Sequence, residues 1–133
     1  MAAIDDDNVV TIYEVGESSG TPFMAMELLK GETLERQTRS GKLIGLERLI
    51  DIAKQLISGL AAAHRRGIVH RDVKPGNVWI ESPSGRVKVL DFGLALASSP
   101  VDAFSDTTSV IGTPGYLSPE QARGERLDDR SDL

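Results

Sequence analysis

The chain has 133 residues, with 15 Lys and Arg against 20 Asp and Glu and a formal net charge of −5, a balance that argues against nucleic-acid binding through clustered cations. Apolar residues make up 40% and, with the 13 glycines, reach about half, the share of a globular domain rather than a disordered chain. Cysteine is absent, which removes disulfides, thiolate metal sites and cysteine nucleophiles and suits a reducing compartment. No run approaches the ~20 apolar residues of a membrane span, so the expectation is a soluble, cytoplasmic segment, whatever membrane tether a parent protein carries elsewhere.

After the acidic Asp5, Asp6 and Asp7, which read as a solvated tail, residues 9–15 are rich in β-branched side chains, residues 16–22 supply turn chemistry, and residues 23–28 are again apolar. This predicts an antiparallel strand pair. Residues 32–39 predict a short helix ended by Gly41. Over residues 46–66 the positions Leu46, Leu49, Ile50, Ala53, Leu56, Ile57, Leu60 and Ala63 recur at three- and four-residue steps, which predicts a long helix with one apolar face. His64, Arg65 and Arg66 suit the negative end of its dipole, and Gly67 stands where a left-handed cap belongs. Residues 78–80 and 87–90 predict a hairpin closed by Ser82, Pro83, Ser84 and Gly85. Residues 97–112, dominated by Ser, Thr and Asp, predict a mobile loop.

The polar run from His70 to Asn77 lies between the long helix and the hairpin, on a loop held by rigid neighbours. Folding of the hairpin brings Asp91 back towards Asn77, and the two side chains offer oxygen ligands to a hard cation such as Mg²⁺. Asp72 is then free to orient a hydroxyl and accept its proton. Lys74 adds a point charge where a transferring phosphoryl group spreads negative charge. Taken singly, Asp72, Asn77 and Asp91 are equally the ordinary residues of turns.

Together these residues resemble the eukaryotic-type (Hanks-type) serine/threonine protein kinases. His70, Arg71 and Asp72 through Asn77 fit H-R-D-x-x-x-x-N; Asp91, Phe92 and Gly93 fit D-F-G; and Ser118, Pro119 and Glu120 stand where A-P-E is expected. Lys74 and the stretch from Gly112 to Tyr116 resemble the serine/threonine branch, and the continuation to Gly124 looks like bacterial members. The resemblance implies an α+β, protein-kinase-like fold, incomplete here, with residues 9–29 closing the small lobe and hinge and residues 30–133 entering the helical large lobe as far as the activation segment and the start of the next helix. It implies ATP with Mg²⁺, or Mn²⁺, as cofactors and a protein Ser/Thr hydroxyl as acceptor, with no role for nucleic acid.

Carried over position by position, the resemblance makes Asp72 the catalytic base, Lys74 the γ-phosphate contact and Thr113 the residue that positions both. Asn77 and Asp91 become the metal ligands. Met26 takes the gatekeeper place, Glu27 and Leu29 present backbone to adenine, and Trp79 floors the adenine pocket where a smaller apolar residue is usual. His70 packs against Phe92, Asp132 braces the catalytic loop, and Arg71 pairs with a phosphate on the activation loop, for which Ser105, Thr107, Thr108 and Ser109 are the candidate acceptors. The glycine-rich loop, strand Lys and helix Glu that a kinase needs are not found among the 133 residues. The expectation is therefore a catalytic-domain segment covering about the middle half of the family's domain, active in its intact parent and inactive alone. Two further possibilities are a non-catalytic kinase-like interaction module and a metal-dependent hydrolase built on Asp72 and Asp91.

Overall fold

Ser19 and Gly20 both take positive φ, 51° and 77°, the requirement of a two-residue hairpin turn whose twist matches its strands. They join β1 (Ile12–Ser18) to β2 (Thr21–Met26), which pair antiparallel from Ser18 opposite Thr21 to Ile12 opposite Met26. The structure is a computed structural model, and it describes residues 4–41, 43–92 and 113–133. Gly93, Ser105, Thr107, Thr108, Ser109 and the predicted loop at residues 97–112 lie outside the described residues.

The first strand begins later than the sequence predicts. Val9 and Val10, 2% and 3% exposed, leave the hairpin and lie against the strand before Asp91. Val9 bridges Val89 in parallel, Val10 N donates to Val89 O at 3.0 Å, and Val89 N donates to Asn8 O at 2.8 Å. Their β-branched side chains announce a buried, extended backbone but not which partner it lies beside.

A second, antiparallel sheet has the order β3 (Gly31–Thr33), β4 (Val78–Glu81), β5 (Val87–Val89). The hairpin of β4 and β5 is the predicted one; β3 is too short and too polar to announce itself. Gly31 has φ 135°, and a Cβ there would sit 2.1 Å from Ile80 O, so only glycine lets the chain enter this edge. Thr33 then caps α1 (Leu34–Arg39), accepting from Arg36 N at 3.2 Å.

The long helix α2 (Leu46–His64) ends at Arg65, and Gly67, φ 72°, turns the chain towards the polar loop. Its buried face matches the predicted one in its last turns, at Leu60 and Ala63, and departs from it earlier. Ile52, Gly59, Leu60, Ala62 and Ala63 are buried, whereas Leu46, Leu49, Ile50 and Ile57 are exposed. The helix carries two apolar stripes, and the one containing Gly59 meets the sheet. A Cβ at Gly59 would lie 2.6 Å from Asn8 O and 3.1 Å from Val89 Cγ2, so the missing side chain is what admits the backbone at Asn8. Val9, Leu60, Ala63, Val89 and Phe92 form one core cluster, Ile52, Val78, Ile80 and Val87 a second, and Leu56 packs against both. Farther on, Ser118 caps the short helix α3 (Pro119–Ala122), and a 3₁₀ turn, Asp129–Asp132, follows.

Candidate active site

Three consecutive amides between α2 and β4 are bonded to side chains. His70 N and Arg71 N donate to Oδ2 and Oδ1 of Asp132, both at 2.8 Å, and Asp72 N donates to His70 Nδ1 at 3.2 Å. Because Nδ1 accepts, the ring proton is assigned to Nε2, which donates to Leu90 O at 2.7 Å. The imidazole also meets Phe92 edge to face, with ring centroids 4.7 Å apart. His70 is therefore a strut between the loop and the end of β5. The Asp132 side chain is fully buried, and Nε2 of His64 lies 2.7 Å from its Oδ2, so this buried carboxylate has polar partners at both oxygens.

The strut presents Asp72 to a closed ring of polar groups. Asp72 Oδ1 accepts from Thr113 N at 3.1 Å and from Thr113 Oγ1 at 2.8 Å. Lys74 Nζ lies 2.6 Å from Asp72 Oδ2 and donates to Thr113 Oγ1 at 2.6 Å. Asn77 Nδ2 donates to Asp72 O at 2.9 Å and to Oδ2 at 3.2 Å. Burial raises the Asp72 pKa, but the hydrogen bonds from Lys74, Thr113 and Asn77, with the charge of Lys74, outweigh it and hold the carboxyl below its ordinary value. Asp72 is thus an ionised acceptor at neutral pH, suited to orienting a hydroxyl.

Pro75 opens the single 3₁₀ turn Pro75–Asn77, which buries Asn77 at 7% exposure. Both bonds of its Nδ2 are used within the loop, which leaves Oδ1 for an outside ligand. Leu90 N donates to Asn77 O at 2.9 Å, so the ladder of β4 and β5 runs one step further, to the residue before Asp91. Asp91 takes φ 62°, a left-handed conformation that costs a residue with a Cβ about 1–2 kcal/mol. One amide oxygen and one carboxylate make a hard but incomplete donor set, the kind Mg²⁺ completes with water and phosphate oxygens. Among the described residues, no group of three or more His, Cys, Asp and Glu is placed to hold an ion.

The residues assigned to a nucleotide base divide. Val78 and Ile80 face the core, so Trp79, between them, faces the opposite side of the sheet with its register partner Lys88. Lys88 is 6% exposed and donates to Glu27 Oε1 at 2.6 Å; Glu27 Oε1 also accepts from Thr11 N at 2.8 Å. Trp79 and Glu27 are thereby gathered on one side of β4 and β5. Met26, at the end of β2, is 40% exposed, and Leu29 is half-buried on the connection to β3. Trp79 Nε1 donates to Lys30 O at 3.4 Å, next to Leu29. Arg71 has φ 70°, and its Nε is buried without a hydrogen-bond partner among the described residues.

Two interactions escape the sequence reading. The Lys88–Glu27 pair had a faint signal, a lone lysine inside an apolar strand. Gln121, whose Nε2 donates to Arg71 O at 2.6 Å, had none beyond its place in a capping sequence. A groove beside the loop is lined by Val73, Tyr116, Leu117, Ser118 and Gln121 among others.

The chain matches one family model, described as "Protein kinase domain", across residues 1–133. The chain belongs to the protein kinase domain family. It is 41% identical over 137 residues to a probable serine/threonine-protein kinase of Streptomyces coelicolor, covering 99% of this chain and 20% of that protein. Against the serine/threonine-protein kinase PknB of Mycobacterium leprae it is 39% identical over 136 residues, covering 99% of this chain and 22% of the relative. Against PrkC of Bacillus subtilis it is 39% identical over 132 residues, covering 99% and 20%. The chain thus spans about a fifth of the length of these relatives. Its fold matches the crystal structure of the PknI kinase domain of Mycobacterium tuberculosis with a TM-score of 0.74 and 26% identity, covering 96% of this chain and 46% of that one. Among the described residues, no helix is long and apolar enough to cross a membrane.

Proposed function

We propose that the protein containing this chain transfers the γ-phosphoryl group of ATP to Ser or Thr hydroxyls of protein substrates. The observation that carries this is the ring that joins Asp72, Lys74, Thr113 and Asn77, each bond between 2.6 and 3.2 Å. Asp72, ionised and 30% exposed at its side chain, accepts a hydrogen bond from the acceptor hydroxyl and takes its proton as the new oxygen–phosphorus bond forms and the bond from the γ-phosphorus to the departing ADP breaks. Lys74 meets the charge on the transferred group, and Thr113 holds both side chains in register. Asn77 and Asp91 are the residues that would hold Mg²⁺ or Mn²⁺, which neutralises phosphate charge when bound. Trp79, Met26 and the backbone of Glu27 and Leu29 are assigned to the adenine end, and residues 9–29 to the small lobe and hinge, with residues 30–133 in the large lobe.

The buried, unpartnered Nε of Arg71 supports a regulatory phosphate as its counterpart, supplied by Ser105, Thr107, Thr108 or Ser109. Measuring transfer of labelled γ-phosphate from ATP to a degenerate Ser/Thr peptide library, with the full-length protein, tests the assignment. Asp72→Asn should lower kcat by about 100- to 10,000-fold, the usual contribution of a general base. No transfer by the parent protein, or an unchanged rate in Asp72→Asn, overturns it.

A further inference from the structure

Gln121 lies on none of the positions that the kinase motifs assign, yet it is 6% exposed and its amide is used at both ends. Oε1 accepts from Ser118 N at 2.9 Å while Ser118 Oγ accepts from Gln121 N at 3.3 Å, which closes the capping box of α3. Nε2 reaches away from the helix and donates to Arg71 O at 2.6 Å. That carbonyl belongs to the peptide joining Arg71 to Asp72, and the N–H of the same peptide donates to His70 Nδ1 at 3.2 Å. Both polar ends of the peptide plane are therefore held by buried side chains. Arg71 N is held in turn by Asp132, and the φ of 70° at Arg71 is of the kind that persists only when its surroundings over-determine it.

We propose that Gln121 is a positioning residue: by holding the Arg71–Asp72 peptide it keeps the Asp72 carboxylate aimed, and it couples α3 to the base. The role rests on the activity proposed above. It requires an amide, because a carboxylate would set an acceptor against a carbonyl oxygen, a shorter Asn falls short of Arg71, and an apolar side chain has nothing to donate.

Gln121→Glu separates the two ends of the amide, since it retains the acceptor for Ser118 N and loses the donor to Arg71 O. In the full-length protein, amide hydrogen exchange at residues 70–72 should accelerate, and kcat should fall about tenfold or more with KM for ATP changed by less than about twofold. Ser118→Ala, which weakens the cap and leaves Nε2 in place, should lower the melting temperature without changing exchange at residues 70–72. Should Gln121→Glu fail to fold, Gln121→Met, of similar volume and without a donor, takes its place in the same two measurements. Unchanged exchange at residues 70–72, or kcat within about twofold of the parent, overturns the proposal. If the parent itself transfers no phosphoryl group, the proposed activity fails and the exchange measurement alone decides the role of Gln121.

Discussion

The catalytic loop and the β1–β2 hairpin are attached to the core in opposite ways. In the loop, the amides of His70, Arg71 and Asp72, the carbonyl of Arg71 and the carboxylate of Asp72 all have partners, drawn from α3, the turn at Asp129–Asp132, the His70 ring and Thr113. The hairpin leaves Tyr13, Val15 and Phe23 exposed at 69%, 55% and 41%, and beyond its own ladder it is held chiefly at Thr11 and Glu27, where Lys88 meets it. Among the described residues the loop is fixed from several sides and the hairpin chiefly at one buried attachment, and a segment with few buried contacts opens more readily than one with many. Changes in the loop should therefore cost both stability and transfer, and changes at the hairpin root should cost less and show a dependence on pH.

The largest effect is expected at Asp132. Its side chain, fully buried, serves His70 N, Arg71 N and His64. Asp132→Asn keeps the volume but turns an NH₂ group against one set of donors, and an unsatisfied buried donor costs about 1–3 kcal/mol. The loss should therefore be about 1–3 kcal/mol, read from urea denaturation, and transfer should fall with it because the backbone before Asp72 loses part of its anchor. A loss below about 0.5 kcal/mol, the scale of ordinary surface substitutions, would show that the loop is held mainly by its other partners.

Gly59→Ala addresses the shared root of both regions. On an open helix face the change would stabilise by up to about 1 kcal/mol, but here the new methyl meets Asn8 O at 2.6 Å and Val89 Cγ2 at 3.1 Å. Backbone cannot yield as a side chain does, so the expected outcome is a net destabilisation of about 1–3 kcal/mol, visible as a lower denaturation midpoint. A stabilised variant would mean that the segment at Asn8 is loosely laid on α2 and that the hairpin is even less anchored than argued.

The site was more legible than the packing around it. Asp72, Lys74, Asn77 and Thr113 are joined by hydrogen bonds, because a loop clamped between a helix end and a tight hairpin has little freedom, and the backbone bond from Leu90 to Asn77 ties the end of the hairpin to the same loop. The buried face of α2 was legible only in part: Leu60 and Ala63 are buried as the periodicity implies, but elsewhere two apolar stripes compete and the choice depends on a contact with Asn8, 51 positions from Gly59. Val9 and Val10 show the same limit: their side chains demand burial in extended backbone, and a distant strand supplies it. Lys88 and Gln121 bond to polar partners far away in sequence, which leave no periodic trace.

The smallest effect, and the sharpest comparison of the two regions, concerns the Lys88–Glu27 pair. Burial raises the Glu27 pKa, but the hydrogen bonds from Lys88 and Thr11 N, with the charge of Lys88, outweigh it and hold the carboxyl below its ordinary value of 4.5. A carboxyl whose folded pKa lies below its unfolded one binds fewer protons in the native state, so its contribution is fully present above pH 4.5 and is lost as pH falls through the folded value. Lys88→Met keeps the apolar stem, removes the ammonium and leaves Glu27 with Thr11 N alone. It should cost roughly 1–2 kcal/mol at neutral pH, and the melting temperature should fall less steeply than in the parent as pH drops below 4.5. Hydrogen exchange should quicken across β1 and β2 and stay unchanged at residues 70–72. If exchange at residues 70–72 quickens as well, the hairpin and the catalytic loop are one cooperative unit, and the contrast between a clamped site and a singly tethered neighbour no longer holds.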